Sequence, residues 1–515
     1  MAQVLFLRMF IRKKKNKSGT FSIHIVRKEG NQQVLVKAVG AAKEGPELQK
    51  LELIALKEMS EIVRQASIDF AYTEDEQFLA QLKDNIRGVR IIGPELILGK
   101  IFEEVGFNKI TDRLFRHLVL SRICYPGSKL KTVEYLLRHH QEFYDIDAVY
   151  RYLDKVNKEH KELLQNISYQ HTLKLFGGTL TVLFYDVTTL YFEASEEDEL
   201  RKIGFSKDGK QQHPQIVLGL LVSPQGYPLA FEMFEGNKFE GQTMLPVVEK
   251  FKNKYHLNNI VIVADAGLLS VENIEALVKL NYGFILGARI KNETREVQKQ
   301  FLSQSWVNGQ THAISKPNGL KLIISYSQSR AGNDKHNRER GLQRLEKLIK
   351  KGKLTKKHIN NRGYNKYLKL NGDITVAINY EKYSDDAKWD GLKGYLTNTE
   401  LSADNVINNY KQLWHIEKAF RISKTDLRVR PIYHRLKHRI ETHLIIAFCS
   451  YKIYKELERQ LKEKQSLLSP EKAVEIMQSI FAIQTVLPLA RKPIELIMAK
   501  TEEQQALLKQ FDIKF

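Results

Sequence analysis

The chain of 515 residues carries 81 Lys and Arg against 60 Asp and Glu, a formal net charge of +21 with a pI near 9.5. A hydrophobic share of 43% beside 27% charged residues excludes a disordered chain, and the length exceeds what one core usually serves, so about two to four structural units are expected. The positive excess suits a polyanionic partner, nucleic acid first, although a ribosome-associated or merely basic protein has the same balance.

Two cysteines, Cys124 and Cys449, stand far apart and outside any Cys-x-x-Cys spacing. They indicate neither a disulfide framework nor a cysteine zinc site, and they fit a reducing cytoplasm. The apolar start from Val4 to Ile11 is short and broken by Arg8, and no run approaches the roughly 18–20 apolar residues of a membrane span, so neither export nor membrane insertion is expected.

In chain order, residues 3–40 read as a small β-meander: Phe21, Ile23 and Ile25 alternate with Ser22 and His24, with a turn at Asn16 to Gly19 and the basic run Arg12 to Lys15 at the first tip. Leu48, Leu51, Ala55, Met59 and Ile62 then fall on one helical stripe. Residues 93–172 are mainly helical, opened by Pro94 and punctuated by Gly106. Ser128 starts a helix through Leu137, and Asp147 is placed to cap another carrying Tyr150, Arg151 and Lys155. Two short helices on a compact linker, the second studded with Arg and Tyr, fit a helix-turn-helix in a major groove, and fit an ordinary helical bundle as well.

From Gly178 the period changes to that of strands: Thr179 to Glu193, Gln215 to Val222 and Tyr227 to Glu235, with Pro-Gln-Gly turning between the last two. A helix from Thr243 to Tyr255 follows, then the continuous apolar run Asn259 to Ala264 of a strand buried on both faces, a helix capped by Ser270 and a last short strand, Phe284 to Gly287. Beyond Ile290 the pattern loosens. Residues 330–369 hold fourteen Lys or Arg against three Asp or Glu, which makes them either a solvated helical surface or a clamp for a phosphate backbone.

The chemistry rests on three acids. Asp186 ends the apolar run Leu183, Phe184, Tyr185, and Asp265 ends Ile262, Val263, Ala264. A carboxylate at the edge of a buried strand is costly unless it is paired, hydrogen-bonded or bound to metal. Either alone reads as a strand-end cap; two in one sheet suggest a shared cation. Tyr410, Glu417 and Lys424 are seven residues apart, close to two helical turns, so they project along one face beside Leu413, Trp414 and Phe420. An i, i+4 ion pair of Glu417 with Arg421 is the alternative.

Asp186 in YDVTTLYFE, Asp265 in VADAGLLS and Glu417 in YKQLWHIEKAFRISK resemble the three acidic motifs of the DDE transposases. The last resembles the Tyr-Arg-Glu-Lys signature of a large subgroup of bacterial insertion sequences, Y-x2-R-x3-E-x6-K, with Tyr410, Glu417 and Lys424 in register and Leu413 where that signature has arginine. Over roughly residues 170–450 the resemblance implies an α/β, RNase H-like catalytic core, a mixed sheet flanked by helices. It also implies an insertion between the second Asp and the Glu, which agrees with the 151 residues between Asp265 and Glu417. The organisation expected is a β-meander plus helix (1–75), a helical DNA-binding unit (76–172), the first part of the core (173–290), the basic insertion (291–388), the closing part of the core (389–455) and a helical C-terminal tail (456–515).

The same resemblance implies Asp186, Asp265 and Glu417 as catalytic metal ligands, with Tyr410, Lys424 and Arg421 on the DNA backbone. Carboxylates favour hard cations such as Mg²⁺ or Mn²⁺, and two ions about 4 Å apart activate an attacking oxygen and stabilise the leaving one. Water attacks first, and the freed 3′-hydroxyl then attacks target DNA. The partners implied are double-stranded DNA, as terminal inverted repeats and target, and further copies of the chain in a synaptic complex. Tyr150, Arg151 and Lys155 are the candidate contacts of the helical unit, and Lys350, Lys351, Lys356 and Lys357 those of the insertion. Trp414 fits base stacking or core packing. The acids alone fit two rivals: an RNase H-like nuclease or resolvase without strand transfer, and a non-catalytic DNA-binding relative.

Overall fold

The computed structural model describes residues 9–30, 32–66, 83–206, 209–210, 212–268, 270–361, 363–371, 375–486 and 492–515. Val4 to Arg8 of the apolar start, Arg362 of the basic stretch and the boundary expected at 75/76 lie outside the described residues. The chain divides into two compact units, residues 1–87 with 486–491, and residues 88–485 with 492–515.

The first unit holds β1 (Met9–Lys15), β2 (Phe21–Glu29) and β3 (Gln32–Ala42), an antiparallel meander in that order, followed by α1 (Pro46–Ala66). Ile23 and Ile25, inward by alternation, bury against Leu48 and Ala55 of the helical stripe. The basic tip is partly neutralised, since Lys13 pairs with Glu52 at 3.0 Å.

After β4 (Ile86–Ile91) the larger unit continues with α2 (Gly93–Val105), α3 (Arg113–Cys124), α4 (Lys129–His140) and α5 (Ile146–Leu175). Pro94 stands in the first turn of α2, and Gly106 ends that helix in the left-handed region at φ 97°. Ser128 caps α4 as expected. The cap of α5 is Asp145, whose carboxylate accepts from Ala148 N at 2.9 Å, and Asp147 lies inside the first turn. With 30 residues α5 is also no short recognition helix: Val149, Leu153, Val156 and Leu164 bury one stripe along its length.

The sheet is built from β5 (Val182–Tyr191), β6 (Gln215–Val222), β7 (Pro228–Glu235), β8 (Val261–Ala264) and β9 (Gly283–Ala288), with α6 (Met244–Tyr255) and α7 (Val271–Lys279) in the crossovers. It does not stop where the sequence pattern loosens. After α8 (Arg295–Leu302), β10 (Thr311–Ser315) and β11 (Lys321–Tyr326) join it. Next come the 23-residue α9 (Gln328–Lys350), a hairpin of β12 (Leu368–Asn371) and β13 (Thr375–Ile378), and α10 (Tyr380–Asp385). These carry a small core of their own around Leu345, Tyr367 and Val376. β14 (Leu392–Thr397) returns to the sheet, whose order is β10-β11-β14-β9-β8-β5-β6-β7, with β5-β8 and β8-β9 parallel and the other pairs antiparallel.

The chain closes with α11 (Ala403–Lys411), α12 (Trp414–Thr425), α13 (Lys437–Glu463), α14 (Pro470–Gln478), β15 (Phe481–Val486), β16 (Pro493–Met498) and α15 (Glu502–Gln510). The tail expected to be helical therefore contains two strands, which form a three-stranded sheet with β4 in the order β16-β15-β4. Helices cover both faces of the large sheet: α6, α7 and α8 bury Val248, Leu277 and Phe301 on one, and α11, α12 and α13 bury Val406, Ile416 and Leu444 on the other.

Candidate active site

Side-chain parity decides what meets on the sheet. Along β5, Phe184 and Leu190 belong to the core beneath α11–α13, whereas Leu183, Tyr185 and Val187 belong to the core beneath α6–α8. Asp186 thus takes the α11–α13 face. It stands inside β5, not at its edge as the apolar run suggested, and is only partly buried, with its Oδ1 accepting from Val187 N at 2.7 Å. Val263 and Ile285 mark the same face on β8 and β9.

Register then lines up the acids. Tyr185 pairs with Ala264 across the parallel β5-β8 ladder, and Ala264 with Leu286 across β8-β9. The following residues, Asp186, Asp265 and Gly287, fall in one row on one face, and Tyr395 of β14 continues it opposite Gly287. Like charges side by side in a sheet repel, so this placement costs stability unless a cation or a donor answers it.

Tyr410 is one answer. Its ring is buried over the space Gly287 leaves open, at 5.0 Å from the ring of Tyr395, and its hydroxyl donates to Asp265 Oδ1 at 2.9 Å. Burial, and then the charge of Asp265, push the phenol well above its ordinary pKa, so it remains a donor. Among the described residues the carboxylate of Asp265 has no other hydrogen-bond partner.

Asp265, Tyr410 and Glu417 line an open cavity of about 850 Å³ together with Arg330, Lys393, Tyr395, Lys411, Leu413 and Trp414. Glu417 is exposed there and its carboxylate makes no hydrogen bond or ion pair among the described residues, so the pair with Arg421 does not form. Its helix α12 packs on β5, the strand of Asp186. Among the described residues no three His, Cys, Asp or Glu side chains stand together closely enough to hold a metal ion, so the acids share this side of the sheet without closing into a cage.

Tyr410, Glu417 and Lys424 do not lie on one helix. α11 ends at Lys411 and α12 begins at Trp414, and between them Leu413 N bonds to Tyr410 O and Ile416 N to Leu413 O, the i to i+3 pattern of a 3₁₀ turn. That tighter turn rotates Tyr410 onto Asp265 and leaves Glu417 facing the cavity. Leu413 is buried at the joint. Trp414, which fitted base stacking or core packing, is 49% exposed, stacks on His415 with centroids 3.9 Å apart and looks into the cavity.

Lys424 lies further along α12, beside Thr188 and Leu190 of β5 in a separate, mostly apolar pocket, and Arg421 is exposed. On α5, Arg151 and Lys155 are exposed one turn apart, while Tyr150 is half-buried under Arg439, whose guanidinium lies 5.2 Å from its ring centre. Lys350, Lys351, Lys356 and Lys357 are all exposed at the end of α9 and just beyond it.

Lys393, Gly287, Tyr395 and Arg330 were not singled out by sequence reasoning. Lys393 of β14 has its ammonium 4.3 Å from the Tyr410 ring centre. Burial, and next to it Arg330, push its pKa down, while the charges of Asp265 and Glu417 pull it back up. No pattern in the segment LKGYLT marks that lysine.

The region that builds this site, residues 177–453, matches the family described as Transposase DDE domain, and the chain belongs to that family. It is therefore a DDE-type DNA transposase, of a family that generally uses divalent metal ions. No curated protein matches the chain. Among solved structures it is similar to a piggyBac transposase in a synaptic complex with hairpin DNA, at 11% identity over 78% of this chain and 79% of that one, with a TM-score of 0.37. It is also similar to Mos1 transposase in a paired-end complex with the left transposon end, at 11% identity over 47% and 68%, with a TM-score of 0.16. Among the described residues no helix is long and apolar enough to cross a membrane.

Proposed function

We propose that Asp186, Asp265 and Glu417 are the catalytic carboxylates of an RNase H-like core, and that the chain is a bacterial insertion-sequence transposase of the Tyr-Arg-Glu-Lys subgroup, acting in the cytoplasm on the inverted repeats of its own element. The observation that carries this reading is the row of Asp186, inside β5, and Asp265, just past the end of the parallel β8, facing the layer from which Glu417 enters the cavity unpaired.

The donor set fits a hard divalent cation: three carboxylates, with no thiol or imidazole among them. Mg²⁺ or Mn²⁺ bound there would polarise a phosphate oxygen and favour ionisation of the attacking hydroxyl. The chain's own contribution is preorganisation. Tyr410 fixes one oxygen of Asp265 and leaves the other for a ligand, and Lys418, next to Glu417, ties α12 to Glu458 of α13. Leu413 offers no arginine for the phosphate contact of the subgroup signature. Arg421, Lys424, the exposed Arg151 and Lys155, and the lysines at the end of α9 supply the backbone contacts, in an assembly of more than one copy.

The test is nicking of a plasmid carrying the DNA that flanks the coding region. Cleavage at the boundaries of two inverted repeats, dependent on Mg²⁺ or Mn²⁺ and abolished by EDTA, is the expected result. Metal-dependent cleavage without fixed positions would favour a nuclease or resolvase instead.

A further inference from the structure

Three cations line the cavity, Arg330, Lys393 and the exposed Lys411, and among the described residues none of them is paired with an acid. Lys393 pairs in register with Ser325 of β11 and lies two residues along β14 from Tyr395, on the face that carries Asp265 and on the side toward which β8 and β9 run. Its ammonium is 4.3 Å from the ring centre of Tyr410 and 5.7 Å from that of Tyr395. Yet among the described residues the ammonium of Lys393 makes no hydrogen bond or ion pair, and the guanidinium of Arg330, at the start of α9, makes none either. A half-buried ammonium without an acceptor is expensive. The two aromatic faces offset part of that cost, and an anion entering the cavity would offset the rest.

A cleavage site that collects carboxylates must overcome their repulsion of the phosphate it is to cut. From this juxtaposition we infer that Lys393, backed by Arg330, binds a non-bridging oxygen of the scissile phosphate. The contact rests on the catalytic reading of the cavity and adds to it a residue that touches substrate. Lys393 places the phosphate beside Asp265 and Glu417, and its ammonium, held over the Tyr410 ring, ties that placement to the hydroxyl that orients Asp265.

The experiment compares two duplexes of the flanking DNA, identical except that one carries a neutral methylphosphonate at the position where the wild-type protein nicks in Mn²⁺. Affinities are measured in EDTA, so that divalent metal takes no part. The wild-type protein should bind the phosphate duplex about tenfold more tightly, the worth of one charge-assisted contact. Lys393→Gln, which keeps a polar side chain without the charge, should bind both duplexes equally, and Lys393→Arg should restore most of the preference. A Lys393→Gln protein that keeps the wild-type preference overturns the inference, and so does an outcome in which both variants weaken binding to the two duplexes alike, as replacing a purely structural lysine would. A wild-type protein that nicks nothing overturns the catalytic reading and this inference with it. Nicking by the wild type, with the preference unchanged in Lys393→Gln, overturns this inference alone.

Discussion

Replacing Gly287 with alanine tests whether the row of residues across the sheet sets the position of Asp265. A Cβ built on Gly287 meets the Tyr410 hydroxyl at 2.5 Å, the Tyr410 Cζ at 3.2 Å and Ala266 N at 3.1 Å. To regain van der Waals separation the hydroxyl must retreat by roughly 0.7–1 Å. Its bond to Asp265 now measures 2.9 Å, so a retreat in that direction carries it past hydrogen-bond range. A bond to a charged acceptor contributes about 1.5–3 kcal/mol. If that loss falls on the reacting geometry, cleavage slows by about 10- to 100-fold. Global stability should fall by about 1–2 kcal/mol, as for modest overpacking.

Tyr410→Phe removes the same bond and should slow cleavage by a similar factor. Because it also removes the atom the new methyl group strikes, the Gly287→Ala/Tyr410→Phe double variant should be about as slow as Tyr410→Phe alone, a coupling that a double-mutant cycle reads directly. Single-turnover nicking, thermal melting and DNA affinity on the same preparations decide it. Wild-type cleavage by Gly287→Ala, or a double variant slowed by the product of the two single effects, would refute the reasoning.

Two further outcomes follow from the ion pairs and the basic surface. Burial works against the charge of Glu458, but hydrogen bonds from Lys418 and Lys455 outweigh it and hold its pKa down at about 2. The stabilisation this acid gives is full above its ordinary value near 4.5 and is lost as pH falls through about 2. Glu458→Gln should therefore lower stability by about 2–4 kcal/mol at pH 7, with the gap to wild type closing between pH 4.5 and 2; a gap independent of pH in thermal melts contradicts the assignment. Replacing Lys350, Lys351, Lys356 and Lys357 with alanine should weaken binding to all DNA sequences alike, flattening the log–log salt slope by roughly 0.9 for each phosphate that is no longer neutralised. An unchanged slope makes this surface merely solvated.

Much of the fold was legible where local pattern and burial agree. The β1–β3 meander shows in its alternation, β8 in its unbroken apolar run, and the caps at Ser128 and Ser270 in their residue types. What escaped was set by tertiary contact. β14 reads LKGYLT, with a lysine and a glycine inside, and is a strand because β9 and β11 hydrogen-bond both of its edges. β15 was hidden in the same way, completed by β4 far away in sequence, and β16 follows it as an edge strand on β15. In the site, the apolar runs before Asp186 and Asp265 were legible as buried strands, although Asp186 stands inside β5 and not at its end. The break between α11 and α12 could not be read, since Gln412 and Leu413 keep helical dihedrals and only their hydrogen bonds change. Nor could Gly287 and Lys393, whose roles exist only through the register that sets them beside Asp265 and Tyr410.

The most direct test of the central claim is Asp186→Asn, with gel mobility shift and nicking measured on one and the same DNA. Removing one negative charge takes away a proposed metal ligand but hardly alters a surface with +21 overall. The account predicts that cleavage is abolished while end binding stays close to wild type. Cleavage that survives the substitution, or cleavage and binding that fall together, would contradict it.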